Sequence, residues 1–168
     1  MARMGSPARA DLKVRNLTPE ELARNLPRLQ PSRYEVKSHA TPRYNCVAFA
    51  NGDERHWWEA GVFGGRFFWP PEIREDSTLQ AWRQLFVSQG YVPTTNRNIE
   101  LGFEKVAIYV SLEDFSTTHV AKSDGRVWKS KLGKGQDIDH YALDVLEGDQ
   151  EDEYGVVELV LKRVAPKK

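Results

Sequence analysis

A thiol and an imidazole stand out among the reactive side chains of this sequence: Cys46, its single cysteine, and His119. The run Asn45-Cys46-Val47-Ala48-Phe49-Ala50-Asn51-Gly52 predicts a short helix that opens at Asn45 or Cys46 and ends near Asn51-Gly52. At a helix start the unsatisfied N–H groups and the dipole favour an anion. That lowers a thiol pKa, and the same groups can hold a developing oxyanion. His119 is expected at the beginning of a strand. There an imidazole can take the thiol proton and later return it to a leaving amine.

The segment THVAKSDGRVWKSK reads as a hairpin, with Asp124-Gly125 as a type I′ turn between two strands. Counting outward from that turn pairs Ser123 with Arg126, Val120 with Lys129 and His119 with Ser130. Partners directly opposite lie about 5 Å apart at Cβ. Ser130 is therefore expected to bond the second nitrogen of His119 and fix its tautomer. Ala121 and Trp128 share that face and suit one wall of a cleft. Against this stands the commoner role of each residue: a lone buried cysteine usually serves as a small hydrophobe, and a strand histidine as a satisfied core or edge residue.

The rest of the chain limits the choices. With one cysteine, a disulfide framework and a multi-cysteine zinc site are excluded. His56 and His140 show no ligand spacing, so no metal and no cofactor is expected. Lys129 and Lys131 read as a solvated strand face, and Asp53 and Glu54 as caps or partners of Arg55. Lys+Arg and Asp+Glu number 24 each in 168 residues, and that neutrality argues against a nucleic-acid partner. A hydrophobic fraction of 40% fits one globular domain, and no apolar run approaches the roughly 18 residues of a membrane span. The N-terminus lacks the apolar core of a signal peptide, so the expected location is cytoplasmic, or export as an effector without a cleavable signal.

The elements that must position the thiol and imidazole follow from punctuation and periodicity. Residues 1–16 read as a flexible basic tail, and residues 17–166 as a single α+β domain. Thr18 caps a helix over about 19–26, Pro19 suits its first position, and Pro27 and Pro31 end it. Residues 31–44 read as irregular. Residues 55–76 carry Trp57, Trp58, Phe63, Phe67, Phe68 and Trp69 without periodicity, which predicts a packed insert with the tryptophans mainly in the core. Ser77 caps a helix to about Gln89, Glu104–Val110 is a central strand, 137–146 a short helix, and YGVVELVLKRV a last strand. Helices first and a meander of strands afterwards predict α+β with N-terminal helices packed on an antiparallel sheet.

With these residues in place, the chain resembles the papain-like NlpC/P60 and CHAP group of cysteine amidases. In that group a cysteine begins a helix, a histidine begins a strand, and a polar residue on the next strand orients the histidine. The match covers residues 44 to 131. The wider pattern NC-x-A-x-A-x-GD…WW…WPP…EKVA-x-Y…TH-x-A…SKLG…DI-x-H resembles a bacterial group. The resemblance implies a papain-like fold and catalysis by Cys46 and His119. It implies an orienting residue at Ser130, Asp137 or His140. It also gives Tyr44 a hydroxyl aimed at the oxyanion, with packing as the other role, and gives Asn45 an oxyanion role beside that of helix cap.

Two function classes follow. One is a cysteine hydrolase or acyl transferase acting on an amide bond of a peptide, protein or other amide substrate through a thioacyl intermediate. The other is a catalytically inert binding or immunity-type module on the same scaffold, using the aromatic loop 57–69 as its partner surface.

Overall fold

The structure is a computed structural model in which residues 14–60, 67–150 and 153–167 are described. It is an α+β fold built on a seven-stranded antiparallel sheet with few helices. The strands are β1 (Tyr34–Ser38), β2 (Val92–Thr94), β3 (Phe103–Val110), β4 (Thr117–Ser123), β5 (Trp128–Lys131), β6 (Asp137–His140) and β7 (Val156–Val164), in the spatial order β1-β6-β5-β4-β3-β7-β2. The helices are α1 (Pro19–Asn25), α2 (Cys46–Ala50) and α3 (Leu79–Val87).

Side-chain caps start each helix. Thr18 Oγ1 accepts from Glu21 N with Pro19 in the first turn of α1, and Asn45 Oδ1 accepts from Ala48 N at α2. For α3 the cap is Thr78, one residue beyond the expected Ser77, because Asp76 Oδ1 already takes the Thr78 amide and holds it in place.

The sheet is covered on both faces. On β3, Val106 and Ile108 pack under Cys46 and Val47 of α2 and Ala81, Trp82, Leu85 and Phe86 of α3. Ala107 and Tyr109 point the other way, into a cluster with Leu22, Leu26, Ala121, Trp128 and Ile138. Strand alternation thus makes β3 the shared floor of two cores, which is why EKVAIYV is almost wholly apolar. Trp128 belongs to this second core and is buried rather than forming a cleft wall.

Three expectations need correction. Residues 34–38, expected to be irregular, form the edge strand β1. Edge strands carry charge, and the YEVKS run alternates too weakly to announce itself. Residues 137–146 are not a helix. Ile138 and His140 face inward while Asp139 faces outward to Lys129, a two-residue period, and the segment pairs with both β1 and β5 before a 3₁₀ turn at Asp144–Leu146. The hairpin turns over four residues rather than two, with Lys122 opposite Lys129 and Ser123 opposite Trp128. Ser123 Oγ accepts from Gly125 N and Asp124 Oδ1 from Arg126 N, so the side chains close a wider loop than the backbone turn would. The register therefore slips by two residues. An even slip keeps every side chain on its face, so His119 and Ser130 remain on the same side.

Residues 1–13 of the expected tail lie outside the described residues. Its last part is held, with Arg15 bridging Glu21 at 2.7 Å and Asn16 Oδ1 accepting from Ala40 N.

Tyr109 Oη donates to the Leu143 carbonyl at 2.7 Å and ties the end of β3 to the turn after β6. Tyr109→Phe keeps the ring and removes one of the two donors to that carbonyl, which still accepts from Leu146 N at 3.3 Å. We expect a loss of roughly 1 kcal/mol, read as a lower urea midpoint with an unchanged m-value.

Candidate functional site

Cys46 opens α2 over Val120 of β4 and is 9% exposed. The helix start was expected to lower its pKa, and the structure reverses the sign. Burial pushes the thiol up to about 11, outweighing hydrogen bonds from the Val120 and Val47 backbone and the nearby Lys131 ammonium. A one-turn helix offers too little dipole to offset loss of water around the sulfur.

His119 is buried among polar partners whose protons can be assigned in sequence. His140 Nδ1 lies 2.9 Å from the Ala142 carbonyl, which can only accept, so Nδ1 carries the hydrogen. Burial holds His140 neutral, with its pKa down to about 4, so Nε2 is bare. Ser130 Oγ, 2.8 Å away, must donate to it. The hydroxyl has no second hydrogen, so it accepts from His119 Nε2 at 2.9 Å. Burial also drives the His119 pKa well below its ordinary value. The imidazole is therefore neutral, and its Nδ1 is a bare base with no hydrogen-bond partner among the described residues. The expected contact of Ser130 with His119 is present, made diagonally across the shifted register rather than directly opposite.

Two rings fix the plane of this imidazole. Tyr154 stacks on it at 4.3 Å and 10°, and Tyr109 meets it at 5.3 Å edge-on from the neighbouring strand. Neither was singled out in the sequence. The β3–β4 register places Tyr109 opposite His119, but the stacking of Tyr154 depends on a contact across the sheet that no local pattern marks.

By alternation His119 belongs to the α1 face and Cys46 to the α2 face. They come together at the end of β4, where an extra residue, Thr118, bulges between the Tyr109–His119 and Val110–Thr117 pairs. Both then line one cleft of about 350 Å³, with Asn45, Trp58, Trp69, Trp82 and Tyr154 among its walls. No hydrogen bond joins Cys46 to His119 among the described residues.

The remaining candidates separate. Asn45 lines the cleft, but its side chain is spent: Oδ1 accepts from Ala48 N and Trp58 N, and Nδ2 donates to Trp58 O at 2.7 Å. It is the cap and the clamp for Trp58. Tyr44 does not line the cleft. It stacks on Phe49 at 6.0 Å, and Lys131 Nζ sits 5.0 Å from its ring. Asp137 pairs with Lys131 across β5–β6, on the opposite face from Ile138 and His140, and takes no part in orienting His119. His140 does, through Ser130. Lys131 is not on a solvated face. It is fully buried, and its ammonium donates to the Thr41, Gly133 and Gly135 carbonyls, with burial lowering its pKa to about 8.

The aromatic insert divides in the same way. Trp57 and Trp69 are buried in the core, as expected, and Trp69 also lines the cleft together with the half-buried Trp58. Asp53 sets Trp58: its Oδ2 accepts from Trp58 Nε1 at 2.8 Å and faces His56 Nδ1 at 2.9 Å, and its Oδ1 accepts from Arg55 N. Against the burial that would raise it, these bonds hold the Asp53 carboxyl at about 2. Among the described residues no group of three or more metal-ligating side chains gathers, and no helix is long and apolar enough to cross a membrane.

The buried histidines make stability depend on pH. Both are held neutral in the fold but charge at their ordinary value of 6.5 when unfolded. Their contribution is present above 6.5 and is lost as pH falls from there toward about 4, where His140 also protonates in the fold. In that window we expect unfolding to take up protons at both sites, a slope of about 1.4 kcal/mol per pH unit for each. Urea titrations at stepped pH should show it, and His140→Gln should remove about half.

No curated protein and no solved structure matches the chain. A family model matches residues 35–162, from β1 into β7, and so spans the thiol, the histidine chain and the cleft between them. The chain thus belongs to the family described as Domain of unknown function (DUF7689).

Proposed function

We propose that this chain is a cysteine hydrolase or acyl transferase of papain-like, NlpC/P60-like design, acting on an amide bond. The observation that carries the reading is the proton arrangement His119–Ser130–His140. It leaves His119 Nδ1 unprotonated in the cleft that holds the single thiol of the chain. The order of a cysteine at a helix start, a histidine on a following strand and a polar orienter on the next supports the resemblance found in the sequence.

The chemistry follows from the resting protonation states. With the thiol pushed up to about 11 and burial driving the imidazole well below its ordinary value, a preformed thiolate–imidazolium pair is strongly disfavoured. The proton therefore moves as the sulfur attacks. His119 Nδ1 takes the thiol hydrogen while sulfur bonds to the carbonyl carbon. The imidazolium then gives that proton to the leaving nitrogen as the C–N bond breaks, which leaves a thioester on Cys46. Water, or an amine in transfer, attacks the thioester with His119 again as base, and the thiol is restored. Ser130 keeps Nε2 engaged throughout.

One observation favours the inert binding module instead: the thiol is buried and pushed up to about 11. The two readings separate in the pH dependence of iodoacetamide alkylation at Cys46. The hydrolase reading expects alkylation of the native protein at pH 7 to exceed that of His119→Gln by roughly 100-fold. That variant keeps a donor toward Ser130 but has no base. Two superimposed profiles that rise only toward pH 11 would sink the hydrolase and leave the module.

A further inference from the structure

The cleft around Cys46 and His119 has a particular chemical character. Trp58 and Trp69 line it, and the indole N–H of each is already committed to the protein, to Asp53 Oδ2 at 2.8 Å and to the Arg74 carbonyl at 3.1 Å. What these rings have left to offer a ligand is their π-faces, which are electron-rich. Glu59 lines the same cleft, and it is the one carboxylate among the described lining residues. No lysine or arginine stands among them, and His119 is neutral. Among the described residues no protein cation pairs with Glu59. Glu59 is exposed, and partial desolvation at the cleft raises its carboxyl above the ordinary value.

Glu59 is also held in place. Its backbone N–H donates to the Phe68 carbonyl at 3.0 Å, and Phe68 N donates back to the Trp57 carbonyl at 3.1 Å. The Trp58 ring lies 4.7 Å from that of Phe68. The backbone that carries Trp58 and Glu59 is therefore fixed by one short, doubly bonded ladder, and both residues line the cleft, one with an aromatic ring and the other with a negative charge. A guanidinium or ammonium is complementary to both features at once, stacking on the ring and pairing with the carboxylate. A volume of about 350 Å³ suits one side chain and its adjoining amide, not a folded segment.

Resting on the hydrolase reading above, we infer that the substrate is an amide carrying a cationic side chain, of arginyl or lysyl type, bound through Glu59 and the Trp58–Trp69 wall. Cys46 and His119 then meet the carbonyl next to that side chain.

The test uses the full-length Cys46→Ala protein, so that binding is read without turnover. Nα-acetyl-arginine methylamide and its neutral isostere Nα-acetyl-citrulline methylamide are titrated in by calorimetry, with tryptophan fluorescence as a second readout. We expect the arginine compound to bind at least about tenfold tighter. Adding Glu59→Gln should shrink that preference to less than about threefold while leaving citrulline binding unchanged. Equal affinities, a preference indifferent to Glu59→Gln, or no detectable binding of the arginine compound would each overturn the inference. This outcome is separate from the alkylation profile. A His119-dependent thiol with no cation preference removes the substrate class and leaves the chemistry. A cation preference with an indifferent thiol does the reverse.

Discussion

A backbone carbonyl can accept a hydrogen bond but never donate one, and that one-way character at Ala142 orders the buried polar chain of this protein. From it follow the His140 tautomer, the direction of the Ser130 hydroxyl and the bare nitrogen of His119. The strands serve this chain. His140, Ser130 and His119 sit on β6, β5 and β4, and adjacent antiparallel pairing brings all three to one face. The 3₁₀ turn after β6 fixes Ala142 and, through the Leu143 carbonyl, Tyr109 on β3. The ring that packs edge-on to His119 and the carbonyl that fixes its proton are thus held by the same short turn. A buried polar chain of this kind is stable when its members satisfy one another, and here every polar side-chain atom but His119 Nδ1 has its partner.

The thiol is governed by the opposite influence. Nothing comparable satisfies a thiolate on Cys46, and burial dominates the backbone contacts and the Lys131 charge. The asymmetry is chemically useful. A neutral thiol and a neutral imidazole line one cleft, so no internal ion pair is held there, and in the proposed reaction the proton moves only when a carbonyl arrives. The β4 bulge at Thr118 lies where the cleft opens, with Thr117, Thr118 and His119 all lining it beside Cys46.

Much of the frame was legible in the sequence because it rests on local rules. Thr18 and Asn45 announced their helices as side-chain caps, and EKVAIYV announced a strand central in the sheet. Ser130 was found beside His119 although the register was two residues off, since face is preserved by any even slip. What escaped was decided by non-local pairing. DIDH satisfies a two-residue period over only four residues, too short to tell from a helical turn, until β1 and β5 flank it. Lys131 looked solvated because its residue type is, yet three carbonyls from the 41 and 133–135 loops claim its ammonium. Tyr154 left no trace in the sequence, since ring stacking depends on where β7 begins. Asp137 and Tyr44 were drawn in by proximity in sequence to the hairpin and the thiol, and strand alternation and ring packing carried them elsewhere.

That lysine has a wider meaning. A ring of inward-facing carbonyl oxygens around a positive centre is the arrangement by which loops commonly grip a dissolved metal ion. Here the positive centre is covalently part of the chain, on β5, one residue from Ser130. It cannot be chelated away, exchanged or starved for, and its local concentration never changes. The loops beneath the thiol are therefore organised by a tethered counterpart of an ion, so their order is independent of the ionic composition around the protein.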